Sequence, residues 1–419
     1  MDGQLRGLAQ PPGAFTEAAV AALRAIDATG RDPIVLGFHP TARLNPYHSL
    51  LYQRAWPAGI AALPIVREET IAELAELARL GYRTVLHLHW LNLVLGDARS
   101  PKEAHRDRLA FLDRLDRYRD AGGQLVWTVH NILPHGTRFE AEEAQLSADV
   151  VDRCDVVHTM AAGTPEFVAP WFRIPTAKIL QSPHPSYIGA YEDRISREQA
   201  RHELGIWPDE VVHILLGAIR PYKGLTQLFD AWDVVDADPV PRRLVIAGGP
   251  TDEPGVAEML ERAALHRSVL LHATQVEPAD VQIYMRAADV AILPHLRGLN
   301  SGALMLALTF GLPVVVPAGG GIAEVADERF ARSFTVDDHD SLVAALRGAD
   351  DLLTPEARAA ALATAAERAP AIVSERFAEG LRVRLDADRA DGTGRAPRPG
   401  RSRARATAGA RPAEGRSAV

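Results

Sequence analysis

Two periodicities alternate along the chain. Short runs made mostly of Val, Ile and Leu, PIVLGF (33–38), TVLHLHW (84–90), LVWTVH (125–130), VVHTM (156–160) and KILQSPH (178–184), are separated by longer stretches. In those stretches, such as Ile71 to Leu80 and Arg106 to Tyr118, apolar residues recur at helical spacing between charges. The first pattern predicts strands and the second amphipathic helices. Strands that are apolar throughout, each followed by a helix, predict a parallel sheet covered on both faces. The alternation lapses between Pro185 and Pro208, then resumes with VVHILLG (211–217), RLVIAGG (243–249), VLLHAT (269–274), VAILPH (290–295) and PVVVPAGG (313–320). The expected fold class is therefore α/β, with two doubly wound, Rossmann-like domains. The first spans 1–187, a linker 188–209, and the second 210–390, whose last helix is free to cross back. Ligands of such sheets bind beyond the carboxyl ends of the strands, so two facing sheets predict an interdomain cleft.

Composition narrows the picture. A chain of 419 residues, 47% hydrophobic and 24% charged, has enough apolar material for two cores. Its net charge of -8 argues against a general nucleic-acid binder. The one cysteine, Cys154, has no disulfide partner and no zinc-type spacing, and reads as a buried structural residue. The start, MDGQLRGLAQPPGAF, lacks the basic-then-apolar order of a signal peptide. No window approaches the ~20 apolar residues of a membrane span. A cytoplasmic protein is expected, with membrane contact at most peripheral. From Asp391 to Val419 the chain turns to Ala, Gly, Pro and Arg and is predicted to be disordered. The Arg-rich segment 102–120 reads either as a helix docked on the sheet or as a membrane-facing one.

The most specific chemistry lies in the second half. In LLGAIRPYKGL (215–225), Gly217 permits a tight turn after a strand, and Arg220 and Lys223 bring positive charge to the helix that follows. Further on, Asn300-Ser301-Gly302 opens an apolar helix whose free amides can receive an anion, unless Asn300 or Ser301 is only an N-cap. Two such turns suggest a split site for the diphosphate of a nucleotide-activated sugar.

Six segments carry a resemblance: NPYHSLLY (45–52), VLHLHW (85–90), WTVHNILPH (127–135), HPSYIGAY (184–191), GAIRPYKGL (217–225) and NSGALMLALTFGLPVV (300–315). In their order and spacing the chain resembles the GT-B glycosyltransferases, most closely the GDP-mannose-dependent β-1,4-mannosyltransferases of xanthan and related exopolysaccharide assembly. The resemblance implies a C-terminal domain for a nucleotide-sugar donor, GDP-mannose. It also implies an N-terminal domain for a glycan or polyprenyl-diphosphate-linked acceptor, and work at the inner membrane face. Retaining relatives carry two glutamates where this chain has Gly298 and Leu306, which favours inversion. Leu91-Asn92 and Gly136 depart from the xanthan-type pattern and leave the acceptor open.

Inverting transfer needs a base in the N-terminal wall. His39, His89, His130 and His135 follow strand ends, and His130 ranks first with His89 next; each could instead orient a neighbouring loop. Asp97 is a carboxylate alternative. Asn45, Tyr47, Asn131 and His135 are the acceptor-side candidates, and Gly249, Thr274 and Glu277 the nucleoside-binding ones. Arg220, Lys223 and the turn amides would neutralise the leaving diphosphate, so no metal or other cofactor is called for. Asp236-Ala-Asp238 has the DxD spelling of metal-dependent transferases but reads as a solvated loop. The competing functions are a retaining hexosyltransferase using a UDP-sugar, a nucleotide-sugar 2-epimerase and a non-catalytic sugar-nucleotide binder.

Overall fold

The structure is a computed structural model that describes residues 13–42, 45–133, 137–296 and 298–390. The tail from Asp391 and the candidate His135 lie outside the described residues. The first sheet holds β1 (Ile34–His39), β2 (Ile60–Pro64), β3 (Arg83–Leu88), β4 (Gln124–Thr128), β5 (Val156–Thr159) and β6 (Ile179–Gln181), in the order β2-β1-β3-β4-β5-β6. The second holds β7 (Val211–Leu216), β8 (Arg242–Ala247), β9 (Val269–His272), β10 (Val290–Ile292), β11 (Val314–Pro317) and β12 (Ala331–Phe334), in the order β12-β11-β10-β7-β8-β9. Every pairing is parallel. Both orders are doubly wound, and strand order reverses between β1 and β3 in one sheet and between β7 and β10 in the other. Helices leave in opposite directions at such a point, which opens a crevice at the carboxyl ends of the strands.

Successive strand residues face opposite layers. Val35, Leu86, Trp127 and Val157 pack into one core of the first domain, while Leu36, Val85, Val126 and Val156 pack into another. The second layer is closed by the last helix, Pro370–Ala390, through Phe377, Ala378, Leu381 and Leu385. Residues that follow the second domain in sequence thus complete the core of the first.

The Arg-rich segment forms the helix Pro101–Asp120, capped by Ser100, whose hydroxyl accepts from the Glu103 amide at 3.2 Å. It buries Phe111, Leu115 and Tyr118, and Arg108 pairs with Glu142 at 2.7 Å and with Asp149, so the helix is docked on its neighbours. Cys154 is buried. No helix among the described residues is long and apolar enough to cross a membrane.

Candidate functional site

The second-domain half of the site grows from the turn after β7. Gly217 has φ 116°, and a Cβ there would come within 2.8 Å of Lys223 Nζ, so the bare glycine makes room for the lysine. Arg220 is extended and leads into the single turn Pro221–Lys223. Lys223 is buried and has no carboxylate partner among the described residues. Burial, and then repulsion from Arg220, lower its pKa to about 8. Arg220 lies farther out, its Nε 3.5 Å from Glu253 Oε1. After β10, the neighbour of β7, Ser301 caps the helix Gly302–Thr309, its hydroxyl accepting from the Leu304 amide at 3.1 Å. A Cβ on Gly302 would lie 2.6 Å from Tyr187 Oη, so only glycine lets that tyrosine approach the helix start. Asn300 Nδ2 donates to the His130 carbonyl at 2.9 Å and ties this turn to the first domain.

The facing wall comes from the ends of β1, β3 and β4. Between the two walls lies a cavity of about 530 Å³. Thr41, Asn45, Trp90 and Asn131 line it on one side. Arg220, Lys223, His295, Gly298 and the turn from Asn300 to Gly302 line it on the other. Every predicted diphosphate residue except Gly217 therefore meets the cavity, and Gly217 supports Lys223 from behind.

The histidines sit deeper. The His130 ring stacks on Trp90, centroids 4.2 Å apart at 22°, and keeps 7% of its surface exposed. Its Nε2 is 3.0 Å from His89 Nδ1. His89 is 1% exposed and its other nitrogen meets Tyr52 Oη at 2.8 Å, so neither of its nitrogens is open to an acceptor. Burial, reinforced by neighbouring imidazoles, holds both rings well below the ordinary histidine pKa. Tyr47 is also a buried residue rather than a lining one: its ring meets His130 edge-on at 5.0 Å while its amide donates to Asn45 Oδ1 at 3.0 Å.

Other candidates are not brought to the cavity surface. Thr274 and Glu277 are exposed beyond β9, and Gly249 follows β8, where its carbonyl accepts from the Ile219 amide at 2.9 Å and braces the turn that carries Arg220. Asp97 is exposed away from the cavity, and His39 holds the Ile65 carbonyl through Nδ1 at 3.0 Å. Asp238 is gripped by Arg347 through two contacts of 2.8 Å, which explains the DxD spelling structurally. No cluster of three or more His, Cys, Asp or Glu is placed to hold a metal among the described residues. Sequence reasoning passed over Thr41, Trp90 and His295. His295 ends the apolar run VAILPH one residue beyond Pro294, and the strand-end rule that selected His130 would have selected it too.

Comparison with known proteins places this arrangement. Residues 210–368 match the family described as Glycosyl transferases group 1. The GDP-mannose:glycolipid 4-beta-D-mannosyltransferase of Xanthomonas campestris pv. campestris is 30% identical over 294 residues, covering 69% of this chain and 74% of the relative. A D-inositol 3-phosphate glycosyltransferase of Jonesia denitrificans is 29% identical over 192 residues, 43% of this chain and 42% of that protein. Among solved structures, Anabaena HepE in complex with UDP-glucose superposes with a TM-score of 0.61 at 16% identity, over 83% of this chain and 99% of its own. Sucrose-phosphate synthase from Thermosynechococcus elongatus gives 0.60 at 16%, over 87% and 100%. The chain belongs to the group 1 glycosyltransferases and is a glycosyltransferase of the GT-B fold.

Proposed function

We propose that the enzyme transfers mannose from GDP-mannose, with inversion at C1, to a hydroxyl of a lipid-linked glycan. The observation that carries this reading is the cavity itself, which sets Arg220, Lys223 and the Ser301 turn opposite a wall of Asn45, Trp90 and Asn131. In the reaction, the acceptor oxygen bonds to C1 as the bond from C1 to the diphosphate breaks, and its electron pair leaves with the diphosphate. The acceptor proton passes to His130, which stacks on the cavity-lining Trp90 and keeps 7% of its surface exposed. Arg220, Lys223 and the amides at the start of Gly302–Thr309 stabilise the charge that develops on the leaving group, a role worth about 3 to 4 kcal/mol per well-placed donor. This reading assigns that neutralisation to the chain's own cations, so transfer should survive a chelator. The donor and acceptor classes rest on the Xanthomonas relative, which is named for GDP-mannose and a glycolipid. Gly298 at the cavity wall, where retaining relatives have a glutamate, supports inversion. We place the enzyme in the cytoplasm, peripherally at the inner membrane face, where such an acceptor resides.

The test is a thermal-shift comparison of GDP-mannose, GDP, UDP-glucose and UDP, followed by transfer to extracted lipid-linked acceptor and determination of the product anomer by NMR. A ligand specific to the folded state raises its apparent stability. Guanine-selective stabilisation and a β-linked product are expected, and Arg220→Ala or Lys223→Ala should cut transfer at least a hundredfold with the fold intact. A uridine preference would overturn the donor assignment, and an α-linked product would overturn inversion.

A further inference from the structure

One face of the first sheet breaks its own apolar pattern. His87 of β3, Thr128 of β4 and His158 of β5 stand in a row, all fully or almost fully buried, on the face covered by the last helix. Phe377 of that helix lies over His87 at 5.6 Å and over His158 at 4.8 Å between ring centroids. Buried polar groups cost stability unless bonded, and apolar residues would pack here as well, so folding alone does not call for the row.

The row forms one unbroken line of hydrogen bonds. From the Ser182 carbonyl it runs to His158 Nε2 at 3.1 Å, from His158 Nδ1 to Thr128 Oγ1 at 2.9 Å, and on to His87 Nε2 at 2.8 Å. It continues from His87 Nδ1 to Tyr52 Oη at 2.7 Å, to His89 Nε2 at 2.8 Å, and from His89 Nδ1 to His130 Nε2 at 3.0 Å. With neutral rings, the direction of every bond follows from its first member. A carbonyl only accepts, so His158 donates from Nε2 and its Nδ1 accepts from the Thr128 hydroxyl. The Thr128 oxygen must then accept from His87 Nε2, His87 Nδ1 from the Tyr52 hydroxyl, and Tyr52 Oη from His89 Nε2. His89 Nδ1 is left to accept, and His130 must donate from Nε2. No partner meets His130 Nδ1 among the described residues.

We propose that this line is a tautomer lock, in which Ser182, His158, Thr128, His87, Tyr52 and His89 hold His130 with its proton on Nε2 and a bare lone pair on Nδ1. The assignment rests on the reading of His130 as the base, for which Nδ1 is the atom that takes the acceptor proton. The lock members are positioning residues and touch no substrate. Cutting the line has a directional consequence. Without the Thr128 hydroxyl, the His87 Nε2–H would point at a methyl group, so the bonds reverse. His87 then donates to Tyr52, Tyr52 to His89, and His89 from Nδ1 to His130 Nε2. The proton of His130 moves to Nδ1, and the base is blocked.

Long-range proton–nitrogen NMR of the ¹⁵N-histidine-labelled full chain reads the tautomers directly, with His130→Asn to assign the resonance. Wild type should show His130 as the Nε2–H form. Thr128→Val should convert it to Nδ1–H and lower kcat at least tenfold while KM for the donor and stabilisation by GDP stay unchanged. Thr128→Ser, which keeps the hydroxyl, should restore both readings. Tyr52→Phe cuts the line at a second point and should give the same conversion if the valine variant does not fold. An Nδ1–H form in wild type, or an Nε2–H form in both cut variants, overturns the lock. Conversion with undiminished kcat would leave the lock standing and remove His130 as the base.

Discussion

Lys223 is buried at the wall of the cavity in which we propose that the donor diphosphate binds, and its position has a thermodynamic signature. Burial and Arg220 lower its pKa to about 8 in the free enzyme, from an ordinary 10.5. A bound diphosphate favours the charged form and raises the value again. Above about pH 8, binding must therefore be accompanied by proton uptake, and affinity for GDP should fall about tenfold per pH unit until the pH approaches the pKa of the complex. Calorimetry at pH 7 and 9.5, in buffers of different ionisation enthalpy, measures both the affinity and the proton count. Lys223→Met should bind more weakly and lose the pH dependence. A wild-type affinity that is flat over this range would separate the lysine from the diphosphate.

At the scale of the element, the helix Glu140–Arg153 buries Glu143 together with Leu146, Val150 and Val151. Burial raises the pKa of Glu143 to about 7 from 4.5, so the folded state binds more protons than the unfolded state between those values. Its contribution to stability is complete at low pH and declines as pH rises through this window. Glu143→Gln should stabilise the protein at pH 8 by on the order of 1 to 2 kcal/mol, discounted for partial solvent access, and by nothing at pH 4. Urea unfolding of both proteins at the two pH values decides it. The elements also show what the sequence made legible. Runs of Val, Ile and Leu revealed ten of the twelve strands among the described residues, because buried parallel strands are apolar on both faces. The missed strands, β2 and β12, lie at sheet edges and read IAALP and ARSF, too short and too mixed to show a period. Strand ends and glycine turns pointed to Arg220, Lys223 and the turn from Asn300 to Gly302, all of which line the cavity. The burial of His89, Tyr47 and most of His130 was not legible, since it depends on the register of β3, β4 and β5 and on a helix from the far end of the described chain.

At the scale of the whole molecule, buried imidazoles share one acid sensitivity. His48, His87, His89, His130, His158, His184 and His213 are all held below the ordinary value of 6.5, with burial the largest cause for each. Below that value the unfolded chain takes up protons that the fold refuses, so stability rises with pH up to about 6.5 and is lost as pH falls. Each histidine can contribute up to ~1.4 kcal/mol per pH unit. Denaturation midpoints at pH 7.5, 6 and 5 should drop steeply across the last interval, and a profile level to pH 5 would mean that the rings charge in place. The placement of Pro370–Ala390 also sets an order on synthesis. A growing polypeptide can deliver all six strands of the first sheet, and then the whole second domain, while His87, Thr128 and His158 remain open to water. Solvent would scramble their protons until Phe377 arrives. Under the proposed lock, a nascent chain on the ribosome would hold the wall of Arg220 and Lys223 while the tautomer of His130 stays unset, so that turnover would begin only in molecules made through Pro370–Ala390.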